Sequence, residues 1–183
     1  MARVSTLNAE KERAGAWYGE LFQSYENLPF SFRIGETAYH GFNDDFPFVS
    51  KETSSERISK KHAEYEIRKM VLTARHKSGV EVKAECAYYP EYAVFEWVLH
   101  FRNTGEENSP AIRCVNAADL DFSGSEPVLE YFLGDDSADQ KAMKPERVDL
   151  NTGLSMEFEP FGGRPTNYQL PFYRLYYGGI GAV

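Results

Sequence analysis

The chain has 183 residues, of which 42% are hydrophobic and 26% charged, a composition typical of one globular domain with an adequate core. Its formal net charge is -8 and it contains no block of lysines and arginines, which disfavours nucleic acid and anionic membranes as partners. No apolar run approaches the ~20 residues of a membrane span, and no signal peptide opens the sequence, so we expect a cytoplasmic protein.

The first predicted element is an amphipathic helix. Apolar residues recur at helical spacing from Ala14 to Tyr25, and Asn8 is a suitable N-terminal cap. The dipeptide Leu28-Pro29 breaks this pattern. We therefore assign residues 1–27 to an N-terminal helix that packs on the domain that follows.

The remainder is predicted to form β-strands. Aromatic residues make up 15% of the chain, which favours strands over a helical bundle, and apolar and polar residues alternate with a period of two between short turns. The strand at 93–101 carries apolar residues on both faces and is therefore expected to be central in its sheet. The predicted strands lie at residues 30–34, 65–76, 80–88, 93–101, 112–120, 128–133, 154–158 and 172–177.

This pattern predicts an all-β fold, a large antiparallel β-sandwich that spans residues 28–183 as one domain. The segment 178–183 is apolar and has no polar tail, so we expect the chain to be cut from a longer protein. Cys86 and Cys114 fall in predicted core strands and are expected to be reduced and buried.

Catalytic and metal-binding motifs are absent from the sequence. A nucleophile needs a base beside it, and metal sites need characteristic cysteine and histidine spacings; neither pattern occurs. We predict no catalytic residue, no metal and no cofactor. The histidines without such a motif are His40, His62, His76 and His100.

Two long irregular stretches, 134–153 and 160–171, are the candidate functional loops. Asp135 and Asp136 follow Gly134 in the first, although a turn leaving a strand would use the same residues. In the second, Arg164 offers a fork of donors and Asn167 a two-way amide, both suited to sugar hydroxyls. We predict Asp135, Asp136, Arg164 and Asn167 as substrate-binding residues.

Four segments, taken in order, resemble the N-terminal β-domain of alpha-galactosidase (melibiase) type glycoside hydrolases. They are residues 28–32, residues 95–99 with the turn Asn103-Thr104-Gly105, residues 134–139, and the string Gly162-Gly163-Arg164-Pro165-Thr166-Asn167. The resemblance runs from about residue 28 to the end of the chain.

The resemblance implies a galactose-mutarotase-like supersandwich followed by a catalytic (β/α)8 barrel. Because this sequence contains no barrel, the chain alone is expected to be inactive. Its expected partners are the C-terminal barrel of the same protein and, through the full-length enzyme, an α-galactoside. The four loop residues would reach the barrel's sugar site, or would tie the domain to the barrel.

Two alternatives stay open. A sugar epimerase of the same fold would use a histidine acid and a glutamate base, whose positions cannot be matched here. A free-standing carbohydrate-binding module would stack sugars on exposed aromatic rings, but Trp17 and Trp97 both fall on apolar faces. Sugar specificity and homo-oligomerisation are not determined by the sequence.

Overall fold

The computed structural model describes residues 8–60, 63–122, 125–134, 143–151, 153–159, 162–163, 166–177 and 180–182. Within these ranges the chain is mostly β, with antiparallel strand pairing and one helix, as the alternating pattern predicted. The elements are α1 (Asn8–Leu21), β1 (Ser31–Ile34), β2 (Thr37–Tyr39), β3 (Phe48–Lys60), β4 (Ala63–Arg75), β5 (Val80–Tyr89), β6 (Val94–Asn103), β7 (Ile112–Asn116), β8 (Val128–Leu133), β9 (Pro145–Asp149), β10 (Gln169–Tyr177) and β11 (Ile180–Ala182).

The chain divides into two compact units, Met1–Leu120 and Asp121–Val183. This division was not predicted, because strands and turns alternate at similar spacing on both sides of Leu120 in the sequence. A single domain over residues 28–183 stays a prediction. Among the described helices, none is long and apolar enough to cross a membrane.

The core of the first unit lies between the sheet β3-β4-β5-β6 and the sheet β2-β1-β7. Strand β5 supplies every second residue to it, and Val80 and Val82 are fully buried. Leu72 of β4 and Phe32 of β1 are 1% exposed. The predicted dry faces of β4 and β5 are thus confirmed, since period-two alternation places all such residues on one side.

Helix α1 packs on the core sheet of the first unit. Tyr18 stacks on Tyr88 with ring centroids 5.0 Å apart, Trp17 meets Phe95 edge-on at 5.5 Å, and burial raises the pKa of Tyr18 to about 12. Phe22, just beyond the helix, is buried. Aromatic contacts therefore attach helix α1 to the first unit.

Strand β6 is the outermost strand of its sheet, not a central one. Its Trp97 face is half-buried, and the Trp97 Nε1 donates to the carbonyl of Ala117 at 2.6 Å. On the opposite face Val94 and Val98 are exposed by 50% and 56%. The prediction of a central strand was wrong. Apolar residues on both faces are compatible with a central position, but β6 pairs only with β5 among the described strands.

The second unit contains one four-stranded sheet, β11-β10-β8-β9. Strand β9 lies in a stretch predicted to be irregular, while the predicted strand at 154–158 has no strand pairing. In that segment Phe158 is half-buried, and its ring packs on Tyr131 at 4.8 Å and on Tyr173 at 5.2 Å.

The two cysteines are free and differ in environment. Cys86 is buried in β5, whereas Cys114 is exposed in β7. The prediction that both are buried was wrong for Cys114, which adopts a left-handed backbone conformation with φ 47° at an irregularity in the β1–β7 pairing.

Candidate functional site

The predicted loop residues are only partly within the described chain. Asp135, Asp136 and Arg164 lie outside the described residues. Asn167 is described and half-buried, and its side-chain amide lies beside Gly162, where an added β-carbon would be 3.5 Å from the Asn167 Nδ2. Gly162 has φ 66°, a conformation that glycine adopts without strain.

The structure brings the bases of the two predicted loops together. Strands β8 and β10 are antiparallel neighbours, with Leu133 opposite Gln169. The Gly134 N–H donates to the Tyr168 carbonyl at 2.8 Å. A β-carbon at Gly134 would overlap the Thr166 carbonyl oxygen and lie 2.7 Å from the Gln169 nitrogen. Gly134 is therefore required for this close approach.

A surface depression of about 330 Å³ adjoins this junction. It is lined by Glu157, Glu159, Tyr168 and Gln169. Tyr168 is 53% exposed and has φ 64°, a left-handed conformation that costs free energy and needs surrounding contacts to hold it. The hydrogen bond from Gly134 to the Tyr168 carbonyl is one such contact.

The alternation of the segment 154–159 positions its carboxylates. Phe158 faces the sheet and packs between Tyr131 and Tyr173. Because neighbouring residues of an extended chain point to opposite sides, Glu157 and Glu159 are directed away from that contact, and both are exposed. The apolar anchor thus places two carboxylates on the same side of the segment, beside Tyr168.

The chemistry of the depression suits a neutral ligand rich in hydroxyl groups. Carboxylates accept hydrogen bonds, the Gln169 amide both donates and accepts, and the Tyr168 ring offers an apolar face with a polar tip. Anionic ligands would be repelled by the two carboxylates. Glu157, Glu159 and Tyr168 were not among the residues predicted from the sequence. The alternation around Phe158 and the position of Tyr168 next to Asn167 were signals for them.

A further aromatic cluster of the first unit was also missed. Tyr65 packs against Tyr89 and Tyr92, with ring centroids 6.4 Å and 5.9 Å apart. Tyr92 is 49% exposed, and the Tyr89 hydroxyl donates to Glu96 at 2.9 Å. We call Tyr65, Tyr89 and Tyr92 the tyrosine cluster.

Two histidines of the first unit take part in polar clusters. The His76 Nδ1 accepts from the backbone N–H of Ser78 at 3.1 Å, so its Nε2 carries the proton and donates to the Tyr39 hydroxyl at 3.0 Å. Tyr39 in turn donates to Asp45 at 2.8 Å. Burial lowers the pKa of His76. Both ring nitrogens are engaged, which makes this a structural network.

The second cluster contains a serine, a histidine and an aspartate, the residue types of a hydrolytic triad, but their hydrogen bonds connect them in a different order. The buried Ser31 hydroxyl donates to Asp119 and accepts from the Asn116 amide at 2.9 Å, while the His40 Nε2 lies 3.5 Å from Asp119. In a nucleophilic triad the histidine bonds to the serine and the aspartate to the histidine. Here the aspartate lies between them, so His40 does not activate Ser31.

No group of three or more potential metal ligands occurs among the described residues. Comparison with family models, with curated proteins and with solved structures finds no match for this chain.

Proposed function

We propose that this chain is the non-catalytic N-terminal domain of a cytoplasmic glycoside hydrolase that acts on α-galactosides. We propose further that it has a galactose-mutarotase-like β-sandwich fold and contacts sugar at the depression beside Tyr168. The observation that carries this proposal is the junction at Gly134, where the first predicted loop begins and the second approaches its end. A depression lined by two carboxylates, an amide and an aromatic ring lies beside this junction.

Each residue of the depression has a role that its chemistry supports. The Tyr168 ring would pack against the apolar C–H face of a sugar. Glu157 and Glu159 would accept hydrogen bonds from hydroxyls, and Gln169 would donate to a neighbouring oxygen. Asp135, which follows Gly134 directly in the chain, stays a predicted sugar-binding residue.

The sugar site is tested by NMR titration of the 183-residue chain with galactose and raffinose. We expect shifts of the amides of residues 157–159 and 166–169, and their loss in Tyr168→Ala. Tyr25→Ala, which removes a ring that is 37% exposed in the first unit, is the matched control and should bind like the wild type. Equal binding by Tyr168→Ala and the wild type would refute the site.

The assignment as a non-catalytic domain has its own test. Pure chain should not hydrolyse a chromogenic α-galactoside, whereas the same chain extended by a (β/α)8 barrel should do so. In the extended protein, Tyr168→Ala should raise KM and leave kcat nearly unchanged, since a residue that binds substrate and transition state equally changes KM alone. Turnover by the 183-residue chain would contradict the proposal.

The second candidate function is a free-standing carbohydrate-binding module, and the tyrosine cluster favours it. The two tryptophans pack against the protein, but Tyr92 presents a ring at the surface and Glu96 and Glu91 lie near it in the chain. The backbone N–H of Tyr92 donates to the Tyr89 carbonyl at 3.1 Å, which holds the ring in a tight turn. Binding of raffinose by the isolated chain that is lost in Tyr92→Ala would favour the module.

A further inference from the structure

A second cavity of the second unit, of about 550 Å³, opens at the other end of its sheet. Strands β8, β9 and β10 meet there, with Val128 opposite both Asp149 and Tyr176, whereas the Tyr168 depression lies at the Leu133 end. Its volume falls within the ~300–1,000 Å³ of typical ligand pockets. The lining residues are Glu126, Pro127, Val128, Arg147, Asp149, Leu150, Asn151 and Tyr176.

The aromatic wall of this cavity is held in place by two arginines. The Arg147 guanidinium lies 5.6 Å from the centroid of the Tyr176 ring. From the neighbouring side, Arg174 donates to the Tyr176 hydroxyl at 2.8 Å and to Glu130 at 3.2 Å. These contacts orient the ring before any ligand arrives, which lowers the entropic cost of binding.

Backbone hydrogen bonds fix the rim that carries the polar groups. The Leu150 N–H donates to the Pro127 carbonyl at 2.8 Å, and the Asn151 N–H donates to the Asp149 carbonyl at 3.1 Å. The first bond joins the segment after β9 to the segment before β8. Asp149 and Asn151 are therefore presented on a closed turn at the cavity rim.

The charges of the lining residues select the class of ligand. Arg147 is positive, while Glu126 and Asp149 are negative. Among the described residues, no carboxylate forms an ion pair with Arg147, so the N–H groups at the edge of its guanidinium remain free to donate. The two carboxylates would repel a purely anionic ligand, and Arg147 would repel a purely cationic one.

We infer that this cavity is a second saccharide site, which binds a neutral sugar ring. Adjacent hydroxyls both donate and accept, so one can accept from Arg147 while the next donates to Asp149. The Asn151 amide serves either role, and the Tyr176 ring contacts the C–H face of the sugar. The inference shares its ligand class with the proposed function but depends on different residues.

The test is an NMR titration of the 183-residue chain with galactose, galacturonate and galactosamine as neutral, anionic and cationic probes. We expect galactose to shift the amides of residues 126–128 and 147–151, and galactose to bind at least as tightly as either charged probe. Arg147→Met should weaken galactose binding there by roughly tenfold or more, because it removes hydrogen bonds from a charged donor. Arg147 is exposed, so the variant should fold.

Arg113→Met is the matched control, since Arg113 is an exposed arginine of the first unit that pairs with the exposed Glu36. It should bind galactose at this cavity like the wild type, as should Tyr168→Ala. Loss of shifts at 157–159 in Tyr168→Ala together with unchanged shifts at 147–151 separates the two sites. Galacturonate or galactosamine binding tenfold tighter than galactose would overturn the inference, as would unchanged binding in Arg147→Met.

Discussion

Gly134→Ala should destabilise the second unit and separate the two loops at their base. The added β-carbon would overlap the Thr166 carbonyl oxygen and approach the Gln169 nitrogen, so the backbone must move. Such overpacking costs about 1–3 kcal/mol, and loss of the Gly134 to Tyr168 hydrogen bond adds about 1 kcal/mol. The lower entropy of alanine in the unfolded chain offsets about 0.5–1 kcal/mol of this. Together these contributions give a net loss of about 1–3.5 kcal/mol.

The assay is urea unfolding followed by the NMR amide signals of β8 and β10, which report the second unit alone. Gly19→Ala is the matched control, because its β-carbon would meet nothing within 4 Å on the exposed side of α1. That variant should stabilise the helix by about 0.5–1 kcal/mol. If Gly134→Ala unfolds at the same urea concentration as the wild type and its amides at 166–169 do not shift, the closed loop base is refuted.

Three further outcomes are expected in the first unit. Tyr39→Phe leaves polar groups of the His76 network without a partner and should lower the free energy of unfolding in urea by about 1–3 kcal/mol. The control Tyr25→Phe should leave it almost unchanged. Equal stabilities of the two variants would show that the network contributes little. Because burial lowers the pKa of His76 below 6.5, the unfolded chain takes up a proton that the folded chain refuses. The free energy of unfolding should therefore fall as pH decreases below about 6.5, and it should fall less in His76→Gln; identical slopes would contradict this. Burial raises the pKa of Cys86 to about 12, so a thiol reagent should label Cys114 alone in the native chain and both cysteines in urea; native labelling of both would refute the burial of Cys86.

The local patterns that predicted the fold correctly are those with a sharp period and clear ends. Strand β8 has the predicted bounds, since Pro127 precedes it and Gly134 follows. Strand β5 places its apolar residues in the core as expected, because strict alternation leaves one arrangement that buries all of them. The helix ends at Leu21, earlier than the predicted limit at residue 27. Phe22 is buried just beyond the helix, whereas Tyr25 is exposed.

The errors concern pairing between strands. Strand β9 consists of a proline, three charged residues and one valine, which is not an alternating apolar pattern. Its strand conformation comes from the pairing with β8. Residues 154–158 alternate well but have no strand pairing, because the contacts of Phe158 with Tyr131 and Tyr173 satisfy the apolar side. The edge position of β6 likewise depends on which strands lie beside it.

The sequence by itself determined the all-β class, the N-terminal helix and the buried faces of β4 and β5. These features depend on neighbours in the chain, whose spacing dictates which side chains share a face. The tertiary structure alone placed Gly134 against Tyr168 and brought Glu157 beside that ring. It also joined Arg147 to Tyr176 across separate strands. Such contacts depend on strand order and register, which the pairing of distant segments decides.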